Sequence, residues 1–194
     1  MILPIVAYGD LVLKKKAEDI EKDYEKLDEL IENMFETMYG AQGIGLAAPQ
    51  IGKSIRLFIV DASPFGDDEE DPEAQKVKDF KEVFINAQIV EEKGEPMVFP
   101  EGCLSIPNIR EEVTRNDTIL IEYYDRDWNF QRREFDGYAA RIIQHEYDHI
   151  DGILFTDHLK PLKKKLLKRK LMDISKGKVE VAYRMKFPKM KLKR

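Results

Sequence analysis

Apolar residues recur at three- and four-residue steps through Tyr24, Leu27, Leu30, Ile31, Met34, Phe35 and Met38. That spacing predicts one buried face of an amphipathic helix over about residues 22–39. Four glycines and a proline follow between Gly40 and Gly52, so this stretch reads as loop or extended chain. Ile55 to Val60 and Val83 to Val90 are short runs rich in β-branched residues, and each predicts a strand. Thr118 to Tyr124 and Phe130 to Phe135 flank a polar Asp125–Asn129 stretch, the pattern of a hairpin. Tyr138 to Ile150 returns to helical spacing, with Asp136 as the expected N-cap and Gly152 where a left-handed C-terminal residue is wanted. A last helix over 161–176 starts at Pro161 and ends before Gly177. Its predicted apolar stripe is Leu162, Leu166, Leu167, Leu171 and Ile174.

This order predicts a single α+β domain over residues 1–194. Mixed or antiparallel sheets would surround a central helix, with further helices towards each terminus. Two segments interrupt the pattern. In 61–82, Asp67, Asp68, Glu69, Glu70 and Asp71 stand together between Pro64 and Pro72, as in a solvated acidic insertion on the surface. In the tail, 178–194, Val179, Val181 and Tyr183 alternate as an added strand would.

Composition narrows the class. The chain has 43% apolar and 36% charged residues and a formal net charge of −5, which is ordinary for a water-soluble domain. It gives no global attraction to nucleic acid, and no DNA partner is expected. No apolar run approaches the roughly 20 residues of a membrane span. The first residues lack the basic start of a signal peptide. With one cysteine, Cys103, no internal disulfide can form. These features predict a cytoplasmic protein without a membrane partner.

The strongest chemical signal is His145-Glu146-Tyr147-Asp148-His149 on the predicted helix. Two histidines four residues apart project from one face, so both rings can reach a single divalent ion. Such an ion lowers the pKa of bound water from about 16 to about 7. Glu146, offset by about 100° from His145, can take that proton and return it to a leaving group. Two of the three histidines lie in this motif.

A catalytic site needs a third protein ligand and an open position. The position six residues after the second histidine, where a metzincin protease carries a third, is Phe155, and Glu180 is the only later glutamate. Cys103 is then the best candidate. Taken alone, however, a lone cysteine is more often a small core residue, and spacing does not decide between the two. Gly43, Gly45 and Ala48 fit a dinucleotide-binding spacing, but a helix precedes them and Pro49 follows at once, the wrong context for that motif. An open segment whose backbone can pair with a peptide fits better, with the Gln50 amide free to donate.

Three segments occur in order: GIGLAAPQ from Gly43 to Gln50, EGCLS from Glu101 to Ser105, and QHEYDH from Gln144 to His149. Together they resemble the three motifs of bacterial peptide deformylases, and the element order agrees from about residue 1 to 175. The resemblance implies a mononuclear Fe²⁺ hydrolase that removes the formyl group from N-formylmethionyl peptides. It implies Cys103, His145 and His149 as metal ligands and Glu146 as the general acid–base. Gln50 and the Leu104 N–H would stabilise the oxyanion, and Gly43, Ile44 and Gly45 would align the peptide. Tyr138, Ile142 and the aliphatic stem of Arg141 would line the methionine pocket with Ile44. By ligand type alone, Zn²⁺, Ni²⁺ or Co²⁺ would also suit the site.

Two other readings remain open at the level of sequence. A general metallopeptidase on the same helix would not need Cys103. Seven of the eleven residues from Lys160 to Lys170 are basic. They form either a solvated outer face or a surface that rests on ribosomal RNA phosphates.

Overall fold

The computed structural model describes residues 1–68 and 70–188. A two-residue strand β1 (Ile5–Val6) leads to helix α1 (Leu27–Gly40), then strands β2 (Gly45–Ala47) and β3 (Leu57–Asp61) and the short helix α2 (Pro72–Lys76). Two long strands follow, β4 (Lys81–Cys103) and β5 (Ile106–Tyr124), and then β6 (Phe130–Asp136). Helix α3 (Gly137–Ile150), helix α4 (Pro161–Ser175) and strand β7 (Met185–Lys186) complete the chain.

Strands β2 to β6 form one antiparallel sheet in sequence order, and β1 pairs in parallel with β7. The α+β class holds. α3 lies against this sheet, burying Ala140, Ile143 and Ile150 with Phe58, Phe84 and Tyr123. The Phe58 and Phe84 rings stack with centroids 4.6 Å apart, an arrangement that adds to the area they bury. α1 covers a second cluster through Ile31, Met34 and Met38 against Leu57, Ile59 and Ile85. α3 and α1 therefore pack on separate apolar clusters.

Several elements differ from the pattern-based expectation. α1 begins at Leu27 rather than near residue 22, because Lys26 adopts a left-handed conformation (φ 55°) that stops the helix extending backwards. The segment after Gly40, read as loop or extended chain, is extended at β2, and Ala48–Ile51 adds a 3-10 turn. Residues 91–117, left without an element by the pattern, are the outer part of the β4–β5 hairpin. Their polar composition, Pro96, Pro107 and the register shifts at Lys93/Pro96 and Gly102/Cys103 hide the period-two signal. Asp136 precedes α3 in extended geometry but makes no side-chain cap.

Gly152, by contrast, is left-handed (φ +75°), and a Cβ there would meet the Lys14 carbonyl oxygen at 2.7 Å. On α4 only Leu167, Leu171 and Ile174 are buried; Leu162 and Leu166 are exposed, since the helix packs on a narrower stripe than its leucines suggest. Residues 179–183 form no strand, and the pairing falls later, at β7. The last six tail positions lie outside the described residues.

The acidic segment is more than a solvated excursion. Its Asp68 and Glu70 are exposed, but Ala62, Ala74 and Val77 are buried, and Phe65 packs on Tyr138 with ring centroids 5.5 Å apart. Asp71 caps α2 and also accepts the Tyr138 hydroxyl at 2.6 Å. Apolar residues scattered among the acids give the segment a face to bury.

Candidate metal centre

α3 presents His145 and His149 one turn apart, with ring centroids separated by 5.1 Å. The third group arrives from the hairpin. A register shift between Gly102 and Cys103 breaks the β4–β5 ladder, and Cys103 then pairs with Ile106 across a two-residue turn. Such irregularities re-aim side chains. One ligand atom from each of Cys103, His145 and His149 lies within 4.8 Å of the others, and Cys103 Sγ is 3.4 Å from His149 Nε2.

Tetrahedral coordination, with metal–sulfur about 2.3 Å and metal–nitrogen about 2.0–2.1 Å, separates donor atoms by roughly 3.5 Å. The residues present therefore fit a metal ion. Glu146 lies beside them, with Oε2 buried and without a hydrogen-bond partner among the described residues. A Cβ on Gly45 would meet Glu146 Oε1 at 2.4 Å, so only glycine at this position lets β2 approach the carboxylate.

The orientation of the His145 ring depends on Glu101, a residue of the EGCLS segment to which the sequence assigns no role. His145 Nδ1 donates to Glu101 Oε2 at 2.9 Å, leaving Nε2 for the ion. Arg115 donates to both carboxylate oxygens, at 2.7 and 3.0 Å, and Arg141 to one at 3.0 Å. Arg115 also pairs with Asp148 at 2.8 Å, and Asp148 pairs with His158 at 2.7 Å. Asp148 sits inside the helix motif and could have been suspected from it; Arg115 has no sequence signal, since only folding brings it to Glu101.

The charges follow from this arrangement. Burial would raise the Glu101 carboxyl, but His145 and Arg115 outweigh it and hold the group well below the usual carboxylate range. Burial would likewise raise the Cys103 thiol; the neighbouring His149 and His145 bring it down to about 5. For Glu146 burial wins over the two imidazoles, and its pKa rises to about 7.

Gln50 is buried with a defined amide orientation. Its Oε1 accepts the Ala47 N–H at 2.8 Å, which turns Nε2 towards Cys103 Sγ and Ser105 Oγ, both at 3.4 Å. These groups open onto a cleft of about 1280 Å³. Gly43, Ile44, Gly45, Leu104, Tyr138 and Ile142 all line it. Arg141 lines it too, but its guanidinium is turned to Glu101, Val113 O and Met97 O, so the stem alone is available to a ligand. Phe65 and Phe99, which carry no motif signal, each pack on Tyr138 in the same cleft, with ring centroids 5.5 and 5.3 Å from it.

Two imidazoles on a helix, one sulfur from a hairpin and a free carboxylate beside an open cleft define a mononuclear metallohydrolase. A model of the polypeptide deformylase family matches residues 2–165. The peptide deformylase of Christiangramia forsetii is 61% identical over 193 residues, covering 98% of each chain. That of Flavobacterium psychrophilum is 57% identical over 188 residues, covering 96% of this chain and 97% of the relative. The crystal structure of a peptide deformylase from Legionella pneumophila superposes with a TM-score of 0.76 at 36% identity, covering 92% of this chain and 98% of that one. The chain belongs to the polypeptide deformylase family, metal-dependent hydrolases that remove the N-formyl group from nascent peptides.

Two measurements test the centre. Glu101→Ala frees the His145 ring, so metal affinity measured by chelator competition should fall about 10–100-fold. In chelator-stripped protein, the lowered thiol pKa keeps Cys103 as thiolate from about pH 5 upward. Alkylation by iodoacetamide should then be half-maximal near pH 5, and a midpoint near the unperturbed 9.0 would contradict the account of its charge.

Proposed function

We propose that this chain hydrolyses the formyl group of N-formylmethionyl peptides with Cys103, His145 and His149 as metal ligands and Fe²⁺ as the native ion. The observation that supports the assignment is the convergence of those three candidate ligand atoms beside the buried carboxylate of Glu146, whose Oε2 has no hydrogen-bond partner among the described residues. When bound, the ion supplies an activated water at neutral pH and polarises the formyl oxygen. Every other part of the reaction falls to the chain.

The peptide pairs with the free edge of β2. β2 is the outermost strand of its sheet, and the Ile44 carbonyl accepts from Asp61 N–H on the β3 side at 2.8 Å. Alternation along an antiparallel ladder then leaves the N–H and C=O of Gly45 for an added strand. The methionine side chain enters between Ile44, Tyr138, Ile142 and the Arg141 stem. Glu146 takes a proton from the attacking water and delivers it to the departing amine, a role suited to a carboxyl raised to about 7. The Gln50 amide, turned by Ala47 N–H, and the Leu104 N–H donate to the oxygen on which negative charge develops. A formyl group carries no side chain, so a tight site accepts it and excludes larger acyl groups.

The proposed setting is the cytoplasm, at the ribosome, where formylated chains emerge. Among the described residues no helix is long and apolar enough to cross a membrane. The basic residues of α4 are exposed and offer contacts to ribosomal RNA phosphates, although Lys163 is already paired with Glu111 at 2.7 Å.

Formate release from formyl-Met-Ala-Ser tests the chemistry. Glu146→Ala should lower turnover by about 10²–10⁴-fold, and Gln50→Ala by about 10²–10³-fold. Wild-type rates in Glu146→Ala would remove that residue from the mechanism. Iron content and activity per metal in anaerobically purified protein test the ion. Replacing Lys160, Lys164, Lys165 and Lys168 by Gln should weaken co-sedimentation with ribosomes, and unchanged pelleting would rule out the RNA contact.

A further inference from the structure

Beyond α4 the chain turns back towards the centre, past the residues that the family model matches. Burial alternates along this return: Val179, Val181, Tyr183, Met185 and Phe187 are half-buried, while the residues between them are exposed. That is the habit of an extended segment with one face packed. Its far end is tied by β7, where the Ile5 N–H donates to Arg184 O at 2.8 Å and the Ala7 N–H to Lys186 O at 2.9 Å. Its near end is tied by Asn108 Nδ2, which donates to Glu180 O at 3.2 Å. Between the two ties, residues 180–183 line the cleft that holds His145 and Glu146.

The return meets the metal centre at one polar contact. The Tyr183 hydroxyl donates to the Leu104 carbonyl at 2.8 Å. Leu104 and Ser105 are the two loop residues between the paired Cys103 and Ile106. Two-residue hairpin loops hold themselves best in conformations with positive φ at a central residue. Neither Leu104 nor Ser105 is among the residues with positive φ. This turn therefore relies on tethers from outside. Tyr8 N–H donates to the Ser105 carbonyl at 2.9 Å, and Gln50 Nε2 approaches Ser105 Oγ at 3.4 Å. The Leu104 carbonyl has Tyr183.

We propose that Tyr183 is a positioning residue for the reaction. Carried on a strap that walls the peptide cleft, it fixes the Leu104 carbonyl and so the backbone that bears the Cys103 sulfur and the Leu104 N–H. The inference rests on the reading of Leu104 as an oxyanion donor. In this arrangement the segment after α4 completes the catalytic turn, and a displacement of that turn by about 1 Å can cost up to about 10²-fold in rate.

Tyr183→Phe removes one hydroxyl and keeps the ring in place. In the metal-loaded enzyme, kcat for formyl-Met-Ala-Ser should fall about 10-fold or more, with KM within about twofold and with metal content and melting temperature kept. In Co²⁺-loaded protein, the sulfur-to-cobalt absorption band should shift or broaden, because the Cys103 backbone is less restrained. Turnover within twofold of wild type overturns the proposal. So does a loss that merely follows a lower melting temperature or lower metal content. If the wild type itself releases no formate, the reading of the site fails. The cobalt band then judges Tyr183 alone, and identical bands in both proteins overturn its positioning role.

Discussion

One buried carboxylate ties the two halves of the centre together. Glu101 leaves β4 just before Cys103 and meets His145 of α3, while Arg115 of β5 and Arg141 of α3 neutralise it from both sides. All three partners are charged or chargeable, and Arg115 and Arg141 are buried, so their desolvation is offset only while every contact is made. Removing one member of such a buried group typically costs about 3–5 kcal/mol, since another charge is left unpaired. The same contacts that hold hairpin and helix together also engage Nδ1 of His145 and leave its Nε2 as the nitrogen available to a metal ion. Folding and ligand orientation are here one event.

Around that network the electrostatics separate the roles of neighbouring acids. Glu101, surrounded by guanidinium groups and an imidazole, is held ionised. Glu146, five residues along the chain from Arg141 and equally buried, has no guanidinium partner among the described residues, and its pKa is raised to about 7. One carboxylate serves as a fixed anion and the other can exchange a proton near neutral pH. The difference comes from what surrounds each acid: Arg115 of β5 and Arg141 of α3 for Glu101, and β2, with a glycine at the point of contact, for Glu146.

The cleft is assembled from parts that are distant in sequence. β2 offers a free strand edge, the segment after β3 contributes Phe65, and α3 contributes Tyr138 and Ile142. The return after α4 adds residues 180–183. Phe65 and Tyr183 both come from regions whose sequence looks dispensable, an acidic stretch and a basic tail. Each carries an aromatic residue that packs or hydrogen-bonds against the centre.

The sequence by itself determined the elements whose signal is local. The i, i+4 histidines and intervening glutamate need only a helix to acquire their geometry, and the apolar spacing from Tyr138 to Ile150 supplies it. The hairpin at Asp125–Asn129 and the left-handed Gly152 were legible for the same reason, because neighbours a few residues apart define them. Tertiary structure decided what depends on chain segments meeting at long range. Cys103 reaches the imidazoles only after a ladder shift in a hairpin whose polar outer arm carries no period-two pattern. Arg115 and Tyr183 have no local mark at all, since their roles exist only once 14 and 79 residues of separation, to Glu101 and Leu104 respectively, are closed by folding. The exposure of Leu162 and Leu166 makes the same point in reverse: a helical stripe states which residues share a face, but the neighbouring surface decides how much of that face is covered.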